Sequence, residues 1–209
     1  MSKIKIKICG LSRREDIACV NELLPDFIGF NFYPPSKRYV TARQAAELKK
    51  ILSPQIKAVG VFVNAEMDFI LSLAAAGVID MIQLHGDEDE AYCRQLKSLT
   101  HLPLIKAVRV RDEESLRGLE NYPVDYFLFD AYAQGQYGGT GQRLAVPLKD
   151  KKIARPYFVA GGLDADNVLE ILSEADTFAA DVCGGVETDG VKDPQKIAAF
   201  IEKIRGDYK

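Results

Sequence analysis

The sequence predicts an α/β protein, a closed (β/α)8 TIM barrel, on three observations. Eight apolar runs of strand length recur along its 209 residues. Helix-spaced segments separate them throughout. The runs are short and almost continuously Val, Ile, Leu or Phe, as expected of parallel strands covered on both faces. A doubly wound open sheet is the weaker alternative, because it would usually bring a glycine-rich turn after the first strand.

In chain order the strand-like runs are Ile4–Cys9, Phe27–Phe32, Ala58–Val63, Met81–Leu84, Leu104–Val108, Tyr126–Phe129, Tyr157–Ala160 and Thr177–Val182. Helical spacing marks Arg14–Leu24, Ala42–Leu52, Glu66–Ala76, Glu88–Leu99, Glu113–Glu120, a weak stretch around Leu144–Lys151, Ala165–Glu174 and Pro194–Ile204. Ser12, Thr41, Asp112, Asp164 and Asp193 precede helical segments and are placed to accept from their free amides, and Pro194 suits a first helical turn. No stretch reads as a linker, so residues 1–209 are expected to form a single barrel domain.

Composition narrows the function. A hydrophobic fraction of 47% and a net charge of −3 describe an ordinary globular chain without the basic surface that nucleic acid requires. The N-terminus alternates charge with isoleucine, so neither a signal peptide nor a membrane span is expected and the chain reads as cytoplasmic. Cys9, Cys19, Cys93 and Cys183 are scattered without metal-ligand spacing and are expected as free thiols. His85 and His101 are too isolated for a metal site and read as structural or surface residues, with His85 near enough to a strand end to line the barrel mouth.

Barrel chemistry gathers where strands end. Cys9 closes the first strand and Asp130 follows the sixth. A thiol acting as a base must be a thiolate, so its pKa must be lowered from about 8.5. An acid acting near neutrality needs the opposite shift, from burial or a nearby anion. Arg38 sits in a proline-stiffened loop, Pro34-Pro35-Ser36-Lys37-Arg38-Tyr39, and can present a planar fork to a carboxylate. The pairs Gly161-Gly162 and Gly184-Gly185 follow the last two strands, where many barrels cradle phosphate with main-chain amides. Gly135–Gly141 lies in a long connection that reads as a flap.

Together Lys7-Ile8-Cys9-Gly10, Gly29-Phe30-Asn31-Phe32-Tyr33, Ser36-Lys37-Arg38-Tyr39, Val59-Gly60-Val61-Phe62-Val63-Asn64, Gln83-Leu84-His85-Gly86, Tyr137-Gly138-Gly139-Thr140-Gly141, Ala160-Gly161-Gly162-Leu163 and Gly185-Val186-Glu187 resemble the phosphoribosylanthranilate isomerase family, from the first strand to the last. The resemblance implies an Amadori rearrangement in tryptophan biosynthesis, an aldose–ketose isomerisation with Cys9 as general base, Asp130 as general acid and no cofactor. It also implies that Arg38 holds the anthranilate carboxylate, that Gly161, Gly162, Cys183 and Gly184 offer phosphate contacts, and that Asp181 touches the substrate. The implied partner is a small phosphorylated substrate, with a monomer or homodimer equally compatible. Two segments depart from the family pattern. Cys183-Gly184 stands where a serine often precedes the glycine, and Gln142-Arg143-Leu144-Ala145-Val146 replaces a Phe-Asp-Trp-like segment.

Overall fold

The structure is a computed structural model that describes residues 4–131, 147–149 and 151–207. Eight parallel strands, β1 (Lys5–Cys9), β2 (Phe27–Asn31), β3 (Lys57–Phe62), β4 (Met81–Leu84), β5 (Leu104–Val110), β6 (Tyr126–Ala131), β7 (Tyr157–Val159) and β8 (Ala179–Val182), close into a barrel in chain order. Closure is made by β8 on β1, with Lys7 opposite Asp181 and Ile8 opposite Val182.

Six α-helices are found among the described residues: α1 (Arg14–Leu23), α2 (Ala42–Lys50), α3 (Met67–Ala75), α4 (Glu90–Leu99), α5 (Val168–Ser173) and α6 (Pro194–Asp207). The helix expected over Glu113–Glu120 is instead two short 3-10 turns, Glu113–Leu116 and Leu119–Asn121. Gly118, in the left-handed region at φ 72°, separates the two turns and interrupts any continuous helix there. In the weak stretch around Leu144–Lys151, Pro147–Lys149 and Lys151 are not helical, and the rest lies outside the described residues.

The caps divide similarly. Thr41 accepts from the Gln44 amide while the Gln44 side chain accepts from the Thr41 amide, a reciprocal cap. Asp112 and Asp193 also accept from the first turns that follow them. Ser12 does not cap α1. Asp16 reaches back from the helix to accept from the Ser12 and Arg13 amides. Asp164 accepts from Asp166 and Asn167 in a turn that precedes α5, so the helix begins three residues later than the sequence suggests.

Alternation along the strands makes two cores. Ile6, Ile8, Ile28, Phe62, Ile82 and Phe127 face outward against helix residues such as Ile17, Leu48, Leu73 and Phe200. Phe27, Val59, Met81, Ile105, Leu128, Phe158 and Ala179 fill the barrel interior. At the end where strands begin, Phe27, Tyr126, Phe158 and Phe178 form an aromatic floor with ring centroids 5.1–6.2 Å apart. The same end repeats one device. Asp26, Asp80 and Asp125 each precede an even-numbered strand and accept from an amide of the strand before it, at Ile6, Ala58 and Leu104. Each also pairs a lysine, Lys5, Lys49 or Lys97. This end is built for stability, which leaves the opposite rim for polar groups.

Candidate active site

Inward alternation carries polar side chains up the wall toward the rim. On β1 the inward set is Lys5, Lys7 and Cys9, so a lysine sits fully buried directly below the thiol. Its Nζ donates to Asp181 Oδ2 at 2.9 Å across the closing strand pair. Burial works to discharge Lys7, but Asp181 and Cys9 outweigh it and hold the ammonium well above its usual range. Burial also pushes Asp181 up to about 7 against the pull of Lys7, with Cys9 and Asp130 adding like charge. Asp181, on the strand that closes the barrel against β1, therefore feels both the thiol and the acid singled out in the sequence.

The thiol differs from the sequence expectation. Cys9 lies at the rim, yet its thiol is raised well above the ordinary value: it donates a hydrogen bond to Cys183 and is buried, and Lys7 opposes both effects only in part. The lowered thiol is Cys183, brought down to about 7 first by that hydrogen bond and then, against burial, by Lys192 and Arg38. Lys192 Nζ is 3.7 Å from Cys183 Sγ and donates to the Cys183 carbonyl at 2.8 Å. Of the two facing thiols, Cys183 is therefore the easier to ionise.

Lys192 is placed by a small hairpin that the sequence reading passed over. Glu187–Thr188 (β9) pairs antiparallel with Val191–Lys192 (β10) through Asp189-Gly190, both at positive φ. Register sets Lys192 opposite Glu187, and their side chains join at 2.6 Å. Glu187 also takes Arg38 in a two-pronged grip, Nε at 2.6 Å and Nη2 at 2.7 Å. The Arg38 loop is pinned by Ser36, whose hydroxyl accepts from Asn31 Nδ2 and from the Arg38 amide. Gly10, at φ 79°, lets the arginine stem cross, since a Cβ there would stand 2.5 Å from Arg38 Cδ.

The two glycine pairs serve different ends. Gly161 and Gly162 both take positive φ, at 93° and 61°, and the Gly162 carbonyl is held by Asn167 Nδ2 at 2.8 Å. Gly185 is required by packing instead, because a Cβ would collide with the Leu163 carbonyl. That close approach joins the loops after β7 and β8 into one surface beside Cys183 and Gly184.

On the far wall Asp130 is buried near the end of β6, and its Oδ1 accepts from the Ala131 amide at 2.9 Å. His85 Nε2 faces its Oδ2 at 3.4 Å, and Gln83 meets His85 Nδ1 at 2.7 Å. Cys9, Arg38, Asp130, Gly161, Gly162, Asp181, Cys183 and Gly184 therefore all belong to the ends of strands or the loops that follow them. His101 is exposed in the join leading into β5, away from this rim. The expected flap, Gly135–Gly141, lies outside the described residues. Sequence reading missed Lys7, Glu187 and Lys192 as site residues. The alternation Lys5-Ile6-Lys7-Ile8, in a strand expected to be covered on both faces, was the available signal for the first, and the Asp-Gly turn for the other two.

Residues 6–203 match the family model described as N-(5'-phosphoribosyl)anthranilate (PRA) isomerase. A curated relative of that name from Thermoanaerobacter pseudethanolicus is 43% identical over 204 residues, 97% of this chain and 98% of its own. The crystal structure of phosphoribosyl anthranilate isomerase from Thermotoga maritima superposes with a TM-score of 0.85 at 34% identity, covering 97% of this chain and 99% of that one. A further crystal structure of such an isomerase, in complex with reduced 1-(o-carboxyphenylamino)-1-deoxyribulose 5-phosphate, gives a TM-score of 0.80 at 33% identity, with the same coverage of both chains.

Proposed function

Since the chain belongs to the N-(5'-phosphoribosyl)anthranilate isomerase family and is an isomerase of tryptophan biosynthesis, we propose that its rim performs the Amadori rearrangement with Cys9 as general base and Asp130 as general acid. The substrate is N-(5-phosphoribosyl)anthranilate and the product 1-(o-carboxyphenylamino)-1-deoxyribulose 5-phosphate, handled by residues 1–209 as one barrel domain.

The observation that carries this reading is that Cys9 and Asp130, both buried, stand at the C-terminal ends of β1 and β6 and so share one rim of the parallel barrel. Asp130 gives its proton to the ribose ring oxygen as the C1–O bond breaks, and the nitrogen lone pair forms an iminium. Cys9 then takes the C2 proton, and the C–H electrons become the C1–C2 double bond of an enolamine. Tautomerisation removes a proton from the C2 hydroxyl and adds one at C1, so both groups return to their starting state. Hydrogen moves within one molecule, and no step calls for an outside electron carrier.

Cys9 becomes the base when its proton passes to Cys183. The ammonium of Lys7 then faces the new Cys9 thiolate, and Cys183 becomes the neutral partner. Arg38, with its Nε–Nη2 edge on Glu187, presents the rest of its guanidinium to the anthranilate carboxylate. Gly161, Gly162, Cys183 and Gly184 receive the phosphate through main-chain amides, and Asp181 contacts the sugar. The test follows loss of phosphoribosylanthranilate fluorescence with purified protein and no added metal. Cys9→Ser and Asp130→Asn are each expected to lose roughly a hundredfold or more in kcat. Full turnover by either variant removes that residue from its role.

A further inference from the structure

Gln83 and His85 are the polar interior groups that the proposed chemistry leaves without a task. Both project inward from β4 and its end, and both are buried, Gln83 at 1% exposure and His85 at 8%. The Gln83 side-chain amide meets His85 Nδ1 at 2.7 Å, so the ring orientation is fixed. The other ring nitrogen, Nε2, points at Asp130 Oδ2 from 3.4 Å and has no hydrogen-bond partner among the described residues. Gln83 Oε1 is likewise buried and unpartnered with the amide nitrogen turned toward the ring. Asp130 Oδ1 is taken by the Ala131 amide, which leaves Oδ2 facing the ring.

An amide offers a donor and an acceptor in nearly the same place, so two proton arrangements fit these distances. If Gln83 donates to Nδ1, the ring proton sits on Nε2 and is aimed at Asp130. That arrangement favours an ionised carboxylate, which cannot act as an acid. If the Gln83 oxygen accepts from Nδ1–H, Nε2 keeps a bare lone pair. It can then accept only from a protonated Asp130, and the acid is held in its working form. Only the second arrangement serves a proton donor.

We propose that Gln83 and His85 are positioning residues for the acid: Gln83 Oε1 holds His85 as the Nδ1–H tautomer, and the bare Nε2 accepts a hydrogen bond from the Asp130 carboxyl, leaving the proton on the acid. The proposal rests on the reading of Asp130 as the acid. Closing the 3.4 Å gap requires only a small approach of the ring and the carboxyl, of the kind catalytic hydrogen bonds make when a ligand enters.

The ring nitrogen spectrum tests this directly, because the chain has two histidines. In 15N-labelled protein carrying His101→Gln, the remaining imidazole is expected to show a protonated Nδ1 and a bare Nε2 near neutral pH. A proton on Nε2, or on both nitrogens, overturns the proposal. Gln83→Leu removes the acceptor, so it is expected to give mixed tautomers and to lower kcat about tenfold, part of what a general acid contributes, with KM within about twofold. Gln83→Leu with the parent's spectrum and kcat also overturns it. Asp130→Asn separates the two readings, since full turnover there removes Asp130 as the acid while the spectrum still decides the tautomer.

Discussion

Cys183 is brought down to about 7 beside a raised Cys9, and the cause is local: Cys183 accepts a hydrogen bond from the Cys9 thiol and lies near the Lys192 ammonium and the Arg38 guanidinium. A depressed thiol contributes stability that is complete above its unfolded value near 8.5 and is lost as pH falls through about 7. The same ionisation sets its reactivity. Alkylation of Cys183 by iodoacetamide, followed by peptide mass mapping, is expected to rise with a midpoint near pH 7, whereas Cys93, raised to about 11 by burial, stays inert. Lys192→Met is expected to move the Cys183 midpoint upward. A midpoint at the ordinary thiol value in the parent protein would show that the pair does not share its proton in this way.

Loops after the last two strands act as one element because of Gly185. With a methyl group there, the backbone of the β8 loop is pushed off the Leu163 carbonyl, and the surface beside Cys183 and Gly184 opens. Gly185→Ala is therefore expected to raise KM by roughly tenfold, the scale of one charge-assisted hydrogen bond, with a smaller fall in kcat. Steady-state kinetics on the folded variant checks this, and an unchanged KM would show that the phosphate is held elsewhere. The hairpin of β9 and β10 is a second such element. Its Asp-Gly turn matters because register puts Glu187 and Lys192 side by side, and through Glu187 the turn governs where Arg38 lies.

At the scale of the molecule, the barrel separates stability from chemistry along its axis. Phe158 is fully buried in the aromatic floor with Phe27, Tyr126 and Phe178. Phe158→Ala is expected to cost about 3–5 kcal/mol, read as a lower urea midpoint with an unchanged slope. If the folded fraction keeps its kcat, the floor and the rim are independent, as their separation implies. A loss of turnover in fully folded protein would instead show that the floor sets the rim's geometry.

The barrel was legible in the sequence because its signals are local: the apolar runs, the helical spacing between them and the caps at Thr41, Asp112 and Asp193 each depend on residues within a turn or two. Knowing that Cys9, Asp130 and Asp181 lie at or beside strand ends was enough to place these candidate residues on one rim. Partners were not legible, because they come from strand closure and from turns that join distant segments. Lys7 meets Asp181 only once β8 pairs with β1, 174 residues apart. Arg38 meets Glu187 across 149 residues. Cys183 is drawn down first by the Cys9 hydrogen bond and then by Lys192, which a hairpin carries in. The sequence by itself determined the wall and the order of its candidate site residues. The tertiary structure alone decided where charge rests among them, because charge responds to distance in space and to burial, and neither quantity exists until the sheet has closed.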